Sequence, residues 1–291
     1  MPTKPRVAIV GPGRLGTALA LQLSRVAYTI SELVHHGRRP KRQTLLLART
    51  VGAQVSSTAD AQLNASVIWF CVPDREIAPA ARALANRGNW KGKAAFHSSG
   101  ALTSRELDVL RQRGAAIASV HPLMTFVAGT VPSLQGVPFA LEGDPKALQI
   151  ARKIARDLGA EPFKVEPKNK VAYHAWGAFT SPLLIALLIN AEQVARAAGI
   201  SAADARRKML PILKQTIENY GRFGPAGAFS GPLVRGDAEV VRKHLQVLKK
   251  IPATRYAYIG LASTALERLP VQNKIRIKRL LHLPKPRTKA R

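Results

Sequence analysis

The apolar run Val7-Ala8-Ile9-Val10 leads directly into Gly11-Pro12-Gly13-Arg14-Leu15-Gly16, and Thr17-Ala18-Leu19-Ala20-Leu21 continues with helix-forming residues. A buried strand, a turn with glycine at its first, third and sixth positions, and a helix make a narrow combination. Gly11 permits the tight turn, Gly13 lets the backbone come close to a pyrophosphate, and Gly16 lets the helix pack against the strand. The positive end of that helix presents free N–H groups to the phosphates. The motif therefore predicts an α/β fold that binds a dinucleotide at the carboxyl edge of its sheet, with Gly11, Gly13, Arg14, Leu15 and Gly16 against the cofactor.

The first half of the chain repeats this alternation. Beyond a first strand over Arg6–Val10, strands are expected over Ile30–His35, Val67–Val72, Ala94–His97, Ile117–His121, Val137–Leu141 and Glu161–Val165. Helices are expected over Arg14–Arg25, Arg75–Ala85, Ser104–Arg113 and Pro145–Leu158. Strands separated by helical stretches indicate a doubly wound, mostly parallel sheet. After Glu166-Pro167 the strand signal stops, and helices are expected over Lys170–Ala198, Ala202–Tyr220, Ala238–Leu248 and Pro252–Leu269. The glycine- and proline-rich segment 223–232 reads as a loop leading to Arg235-Gly236-Asp237. The organisation expected is a nucleotide-binding domain over residues 1–167, an all-helical domain over 168–273, and a basic, solvated and partly disordered tail over 274–291.

With 291 residues, 46% of them hydrophobic, the chain can bury two cores. Its one cysteine, Cys71, lies inside an apolar run, so no internal disulfide forms and a reducing cytoplasm is expected. The seven histidines show no HxxxH or HxH spacing, and no metal site is expected. Lys4 and Arg6 precede apolar residues as in a signal peptide, but Arg14 and the glycines interrupt the run, which fits a first strand instead.

Residues 171–191 carry no charge and approach the length of a membrane span. Tyr173, His174, Thr180, Ser181, Pro182 and Asn190 within that stretch favour a helix buried inside the protein or at a subunit interface, so a homodimer and no membrane span are expected. The net charge of +28, from 45 basic against 17 acidic residues, attracts polyanions non-specifically. Aromatics are only 5% of the chain, too few to interleave with the basic residues as base-stacking proteins require.

Candidate chemistry clusters at predicted strand ends. About twenty positions after the glycines a carboxylate ordinarily accepts the ribose hydroxyls. Here that position falls at His36, flanked by His35, Arg38 and Arg39, with no carboxylate after Glu32, so a ribose phosphate and hence NADP(H) is expected. Ser98 and Ser99 in His97-Ser98-Ser99-Gly100 are candidates to hydrogen-bond a substrate carboxylate or carbonyl, although Ser99 or Ser104 would serve equally as a helix cap. His121 ends the next strand and is a candidate acid or base. Lys170 and His174 share one helix face, where a desolvated lysine would have a lowered pKa suited to proton delivery; the alternative is a surface lysine beside a core histidine. Arg235 is a candidate to hold an acidic substrate, and Asp237 either joins it or caps the next helix.

Taken in order, GPGRLG, Val72-Pro73-Asp74, HSSG, HPLMTF from His121 to Phe126, Lys170-Val171-Ala172-Tyr173-His174-Ala175 and GPLVRGD from Gly231 to Asp237 resemble the bacterial predicted oxidoreductases that join a Rossmann-like domain to domain of unknown function 2520. That family is similar to pyrroline-5-carboxylate reductases, prephenate dehydrogenases and β-hydroxyacid dehydrogenases. The resemblance implies a helical C-terminal dimerisation domain of the 6-phosphogluconate-dehydrogenase type, and adds Val72 and Pro73 to the cofactor contacts. It also implies a substrate-contacting role for His121 and a proton-donor role for Lys170. The expected activity is an NADPH-dependent hydride transfer to a small carboxylate-bearing carbonyl, such as ketopantoate, or to an imine. The alternative is a nucleotide-sensing or polyanion-binding protein without catalysis.

Overall fold

The computed structural model describes residues 4–281, which divide into two compact units meeting at Ser181 and Pro182. The first unit is built on eight strands: β1 Val7–Val10, β2 Ile30–His35, β3 Gln54–Ser57, β4 Val67–Phe70, β5 Ala94–His97, β6 Ala116–Pro122, β7 Pro138–Gly143 and β8 Glu161–Lys164. Their order across the sheet is β3-β2-β1-β4-β5-β6-β7-β8, and every pair is parallel except β6 with β7. The central strands are buried on both faces, as their unbroken apolar runs require.

Helices α1 Arg14–Arg25, α2 Arg42–Val51 and α5 Pro145–Asp157 cover one face of the sheet, while α3 Asp74–Leu84 and the short α4 Asp108–Arg111 cover the other. This is the expected doubly wound arrangement. On α1 the buried residues Ala18, Leu19 and Leu23 supply the sheet-facing side. Complete burial of Leu19 and of Leu23 contributes about 1.5–3 kcal/mol each. Helix α5 turns Ala147, Leu148, Ala151, Ile154 and Ala155 inward, leaving its basic residues outside. The segment expected as one helix over Ser104–Arg113 is a 3-10 turn, Ser104–Leu107, followed by α4.

The first unit ends with α6, Lys170–Thr180. The uncharged stretch expected as one helix is broken at Ser181, whose φ of −131° and ψ of −81° are non-helical, and Pro182 starts α7, Pro182–Ala197. Neither is it buried: Val171 and Phe179 are each 71% exposed and Trp176 is 52% exposed. By length and composition alone, the run Pro167–Ala197, which contains an 18-residue window of mean hydropathy 1.4, suffices to cross a membrane.

The second unit holds α7, α8 Ala202–Ala228, α9 Ala238–Val247, α10 Pro252–Arg268 and α11 Lys274–Leu281. Ser201 caps α8 by accepting the Asp204 N–H, and α8 continues to Ala228 where a loop was expected, kinking at Gly224 with φ of +69°. The basic tail is corrected in part as well. Residues 274–281 form α11, whose Ile277 and Leu281 bury one turn apart against Val241, Leu245 and Ile259. Residues 282–291 lie outside the described portion.

Candidate functional site

Gly11 has φ of +90°, a value that excludes most side chains, and a Cβ there would also sit 2.6 Å from Val72 Cγ1. At Gly16 a Cβ would collide with the Gly11 carbonyl oxygen, so the first turn of α1 closes on the loop only because that position lacks a side chain. The space in front of Gly13 is open for 4 Å. Each glycine thus does what its place in the motif requires. Beside the turn lies a cavity of about 570 Å3 lined by Gly11, His35, His36, Thr58, Val72, Pro73 and Glu76.

The rim of this cavity is free of available carboxylate on the β2 side. Glu32 is buried and engaged by the Ser56 hydroxyl and by the N–H groups of Gln62 and Leu63, at 2.5, 3.0 and 2.8 Å. His36, Arg38 and Arg39 are exposed, and among the described residues neither arginine forms an ion pair. His35 is nearly buried, and its Nδ1 has no partner among the described residues.

At the ends of β5 and β6 the chain builds a rigid polar platform. His97 Nδ1 accepts the Ser99 N–H at 3.1 Å, so its Nε2 carries the proton given to Thr103 O at 2.9 Å. Burial holds His97 down to about 4, so the ring is neutral. Ser99 is buried; its hydroxyl donates to Asp74 Oδ2 at 2.8 Å and accepts from the N–H groups of Ala101 and Leu102. With its hydroxyl fully occupied, Ser99 is a turn cap rather than the substrate holder expected from HSSG. Ser98 is different: Trp69 Nε1 donates to its oxygen at 2.8 Å, which leaves the hydroxyl proton available.

Lys170 is 1% exposed. Its Nζ donates to Ser99 O at 3.1 Å and to the Ser119 hydroxyl at 2.6 Å, and Ser119 also donates to Ser99 O at 3.0 Å. Burial brings its pKa down to about 8, opposed by the nearby carboxylates of Glu142 and Asp74. The expected lowering of the lysine is therefore present, but its ammonium lies beneath the Ser99 backbone instead of at the surface. Sealed from solvent, Lys170 holds the platform in this geometry. His174, one turn later, is the exposed member of the pair.

Two imidazoles rest on the platform at Gly100. A Cβ at that position would lie 2.7 Å from His174 Cδ2 and 3.0 Å from His121 Cε1 and Nε2. The two rings are 6.3 Å apart, centroid to centroid. His121 Nδ1 is 2.7 Å from the hydroxyl of the buried Tyr173. Burial, followed by the charges of Lys170 and His174, holds His121 down to about 4. Tyr173, Ser119 and Asp74 were not identified as site residues from sequence. Ser119 and His121 stand two apart on one strand, and Lys170, Tyr173 and His174 stand three and four apart on one helix, so periodicity alone carried a signal.

Arg235 and Asp237 belong to the second unit and pair with each other, at 2.9 Å from Nε and 2.8 Å from the second guanidinium nitrogen. Asp237 stands at the N-cap position of α9 without a side-chain cap bond, its carboxylate being held by Arg235.

A glycine turn at a helix N-terminus, a basic rim with no available carboxylate on the β2 side and a polar platform on one sheet edge define a dinucleotide-binding α/β protein. Residues 1–122 match the profile of the Rossmann-like domain, and residues 137–265 match that of Domain of unknown function (DUF2520). The chain thus carries a segment similar to the Rossmann-like domain followed by a segment similar to DUF2520.

A pyrroline-5-carboxylate reductase of Mycobacterium tuberculosis is 37% identical over 81 residues, which are 28% of this chain and 27% of that protein. The chain therefore matches little more than a quarter of the length of these curated relatives. Among solved structures, a protein of Bacteroides fragilis provisionally titled an NADP oxidoreductase aligns with TM-score 0.77 at 20% identity, over 91% of this chain and 99% of its own. Protein TM1727 of Thermotoga maritima aligns with TM-score 0.69 at 25% identity, over 90% and 97%. An imine reductase of Myxococcus stipitatus in complex with NADP+ aligns with TM-score 0.66 at 15% identity, over 96% and 100%.

Proposed function

We propose that this protein is an NADPH-dependent oxidoreductase that transfers a hydride to a small carbonyl or imine substrate bearing a carboxylate. The observation that carries this reading is that the three-glycine turn and the platform bearing Ser98, His121 and His174 stand on the same carboxyl edge of one sheet. The names of the structural neighbours and of the curated relatives support it.

The residues present fit the cofactor. Open space at Gly13 admits a pyrophosphate, with Arg14 and Leu15 opening the helix N-terminus above it, and His36, Arg38 and Arg39 suit a ribose phosphate. Val72 and Pro73 line the adjoining cavity. When bound, the cofactor supplies the hydride. The protein's own part is to hold and polarise the acceptor: the Ser98 hydroxyl and the two imidazoles are the reachable groups, while Lys170 and Ser119 fix the backbone on which they stand. Within the second unit, Arg235 keeps its expected capacity to hold a carboxylate and is itself paired with Asp237.

A second copy of the chain covers the exposed apolar residues of α6 and α7 in this reading. Val171, Trp176, Phe179, Leu183 and Ile185 are all exposed in the single chain, a density of apolar surface characteristic of interfaces. The test is direct: purified protein is incubated with NADPH and a panel of 2-oxo acids, ketopantoate included, and cyclic imines. Steady NADPH consumption supports the proposal. Salt-sensitive DNA binding without turnover of any substrate would replace it with the polyanion reading that the net charge of +28 favours.

A further inference from the structure

His121 has one nitrogen committed and one open. Nδ1 meets the Tyr173 hydroxyl at 2.7 Å, whereas Nε2 has no protein partner among the described residues and is not sealed from solvent. The Tyr173 side chain is buried, and the His121 nitrogen is its only hydrogen-bond partner among the described residues. A buried phenol that gave no hydrogen bond would leave its proton unsatisfied, so the hydroxyl donates and Nδ1 accepts. The two rings stand nearly perpendicular, at 87°, with the Tyr173 hydroxyl within hydrogen-bond distance of Nδ1.

We infer that Tyr173 is a positioning residue that fixes His121 in the Nε2–H tautomer, so that the platform offers its substrate hydrogen-bond donors and selects an oxo acceptor over an iminium. Ser98 can donate as well, because the Trp69 indole occupies one acceptor site on its oxygen and leaves the hydroxyl proton free, so the discrimination rests on His121. An iminium N–H would meet the His121 Nε2–H proton to proton. A carbonyl or carboxylate oxygen accepts from both. This inference rests on the oxidoreductase reading for its substrate and deepens it.

The charged and titratable groups around His121 agree with a neutral ring. From α6 come Lys170 and His174, from β5 comes His97, and all three disfavour a proton on Nδ1; Asp74 at the start of α3 is the one opposing charge. Tyr173 keeps its own proton, since burial raises its pKa.

The experiment is 15N NMR of histidine-labelled full-length protein at neutral pH, with and without NADP+. The expected His121 pattern is a single Nε2–H tautomer, with the Nδ1 resonance displaced by the accepted hydrogen bond. In Tyr173→Phe that displacement disappears. Ketopantoate is expected to shift the Nε2 resonance, and a protonated five-membered cyclic imine that carries no carboxylate to leave it in place. An Nδ1–H tautomer in the wild-type protein overturns the inference even if Tyr173→Phe fails to fold. So does a larger Nε2 shift with the iminium, or no shift with either probe. NADPH consumption is scored separately, so loss of the oxidoreductase reading and loss of the tautomer assignment give different results.

Discussion

Replacing Lys170 with methionine removes a buried charge while keeping the length of the side chain, and the consequence for stability follows from its surroundings. The ordinary lysine value is 10.5, and burial brings Lys170 to about 8. The folded state therefore penalises the protonated amine by roughly 3 kcal/mol at neutral pH. Because the folded value lies below the unfolded one, the penalty is fully present below about pH 8 and fades as the pH rises through 10.5. Between about pH 7 and about pH 9.5 the wild-type protein should regain roughly 2 kcal/mol from this group. Lys170→Met regains nothing there. The tyrosines and other groups titrating in that range are common to both proteins, so the difference between the two stability curves isolates Lys170. Urea unfolding followed by tryptophan fluorescence is the suitable assay, since Trp69, Trp90 and Trp176 all lie in the first unit. Parallel curves for the two proteins over this range would refute the burial of the amine beneath Ser99.

Gly100→Ala should lower turnover by about 100-fold with little change in NADPH affinity, because its Cβ displaces both imidazoles by a fraction of an ångström; unchanged steady-state kinetics would show that neither ring has to sit there. NADPH should bind at least about tenfold more tightly than NADH, and Arg38→Ala with Arg39→Ala should erase the preference; equal dissociation constants for the wild-type protein at low salt would contradict the ribose-phosphate assignment. Val171→Asp with Phe179→Asp should convert a dimer to a monomer in sedimentation at micromolar concentration, and a wild-type monomer, or a protein extracted only by detergent, would remove the second copy from the proposal. No activity step should track His121 near its ordinary value of 6.5, since that ring stays neutral down to about 4; a pH profile breaking near 6.5 and losing the break in His121→Asn would show otherwise.

The sequence by itself determined the nucleotide-binding half of this protein. Three glycines after a four-residue apolar strand allow few alternatives, because at Gly11 and Gly16 a Cβ would meet backbone or a neighbour while Gly13 leaves open space before the helix, and long apolar runs can be buried only in the middle of a sheet. It did not reveal β3 and α2. Gln54–Ser57 is a polar edge strand with one apolar residue, held by backbone pairing to β2, and α2 follows a cluster of basic residues that masks its start. Nor did composition separate a solvated tail from α11, where burial falls on only Ile277 and Leu281 amid four basic neighbours.

Only the tertiary structure decided the roles of the polar residues. Ser98 and Ser99 are identical in sequence terms, yet one hydroxyl is spent on Asp74 and two backbone amides while the other keeps its proton free. Lys170 and His174 share a helix face, and the sheet edge buries the cation and exposes the imidazole. The Tyr173 bond to His121 spans 52 residues and exists because α6 returns to the end of β6. Local pattern fixes which residues can reach one face, but the partner that uses up a hydrogen bond is set by segments far away in the chain, and that partner decides whether a polar group is structural or available for chemistry.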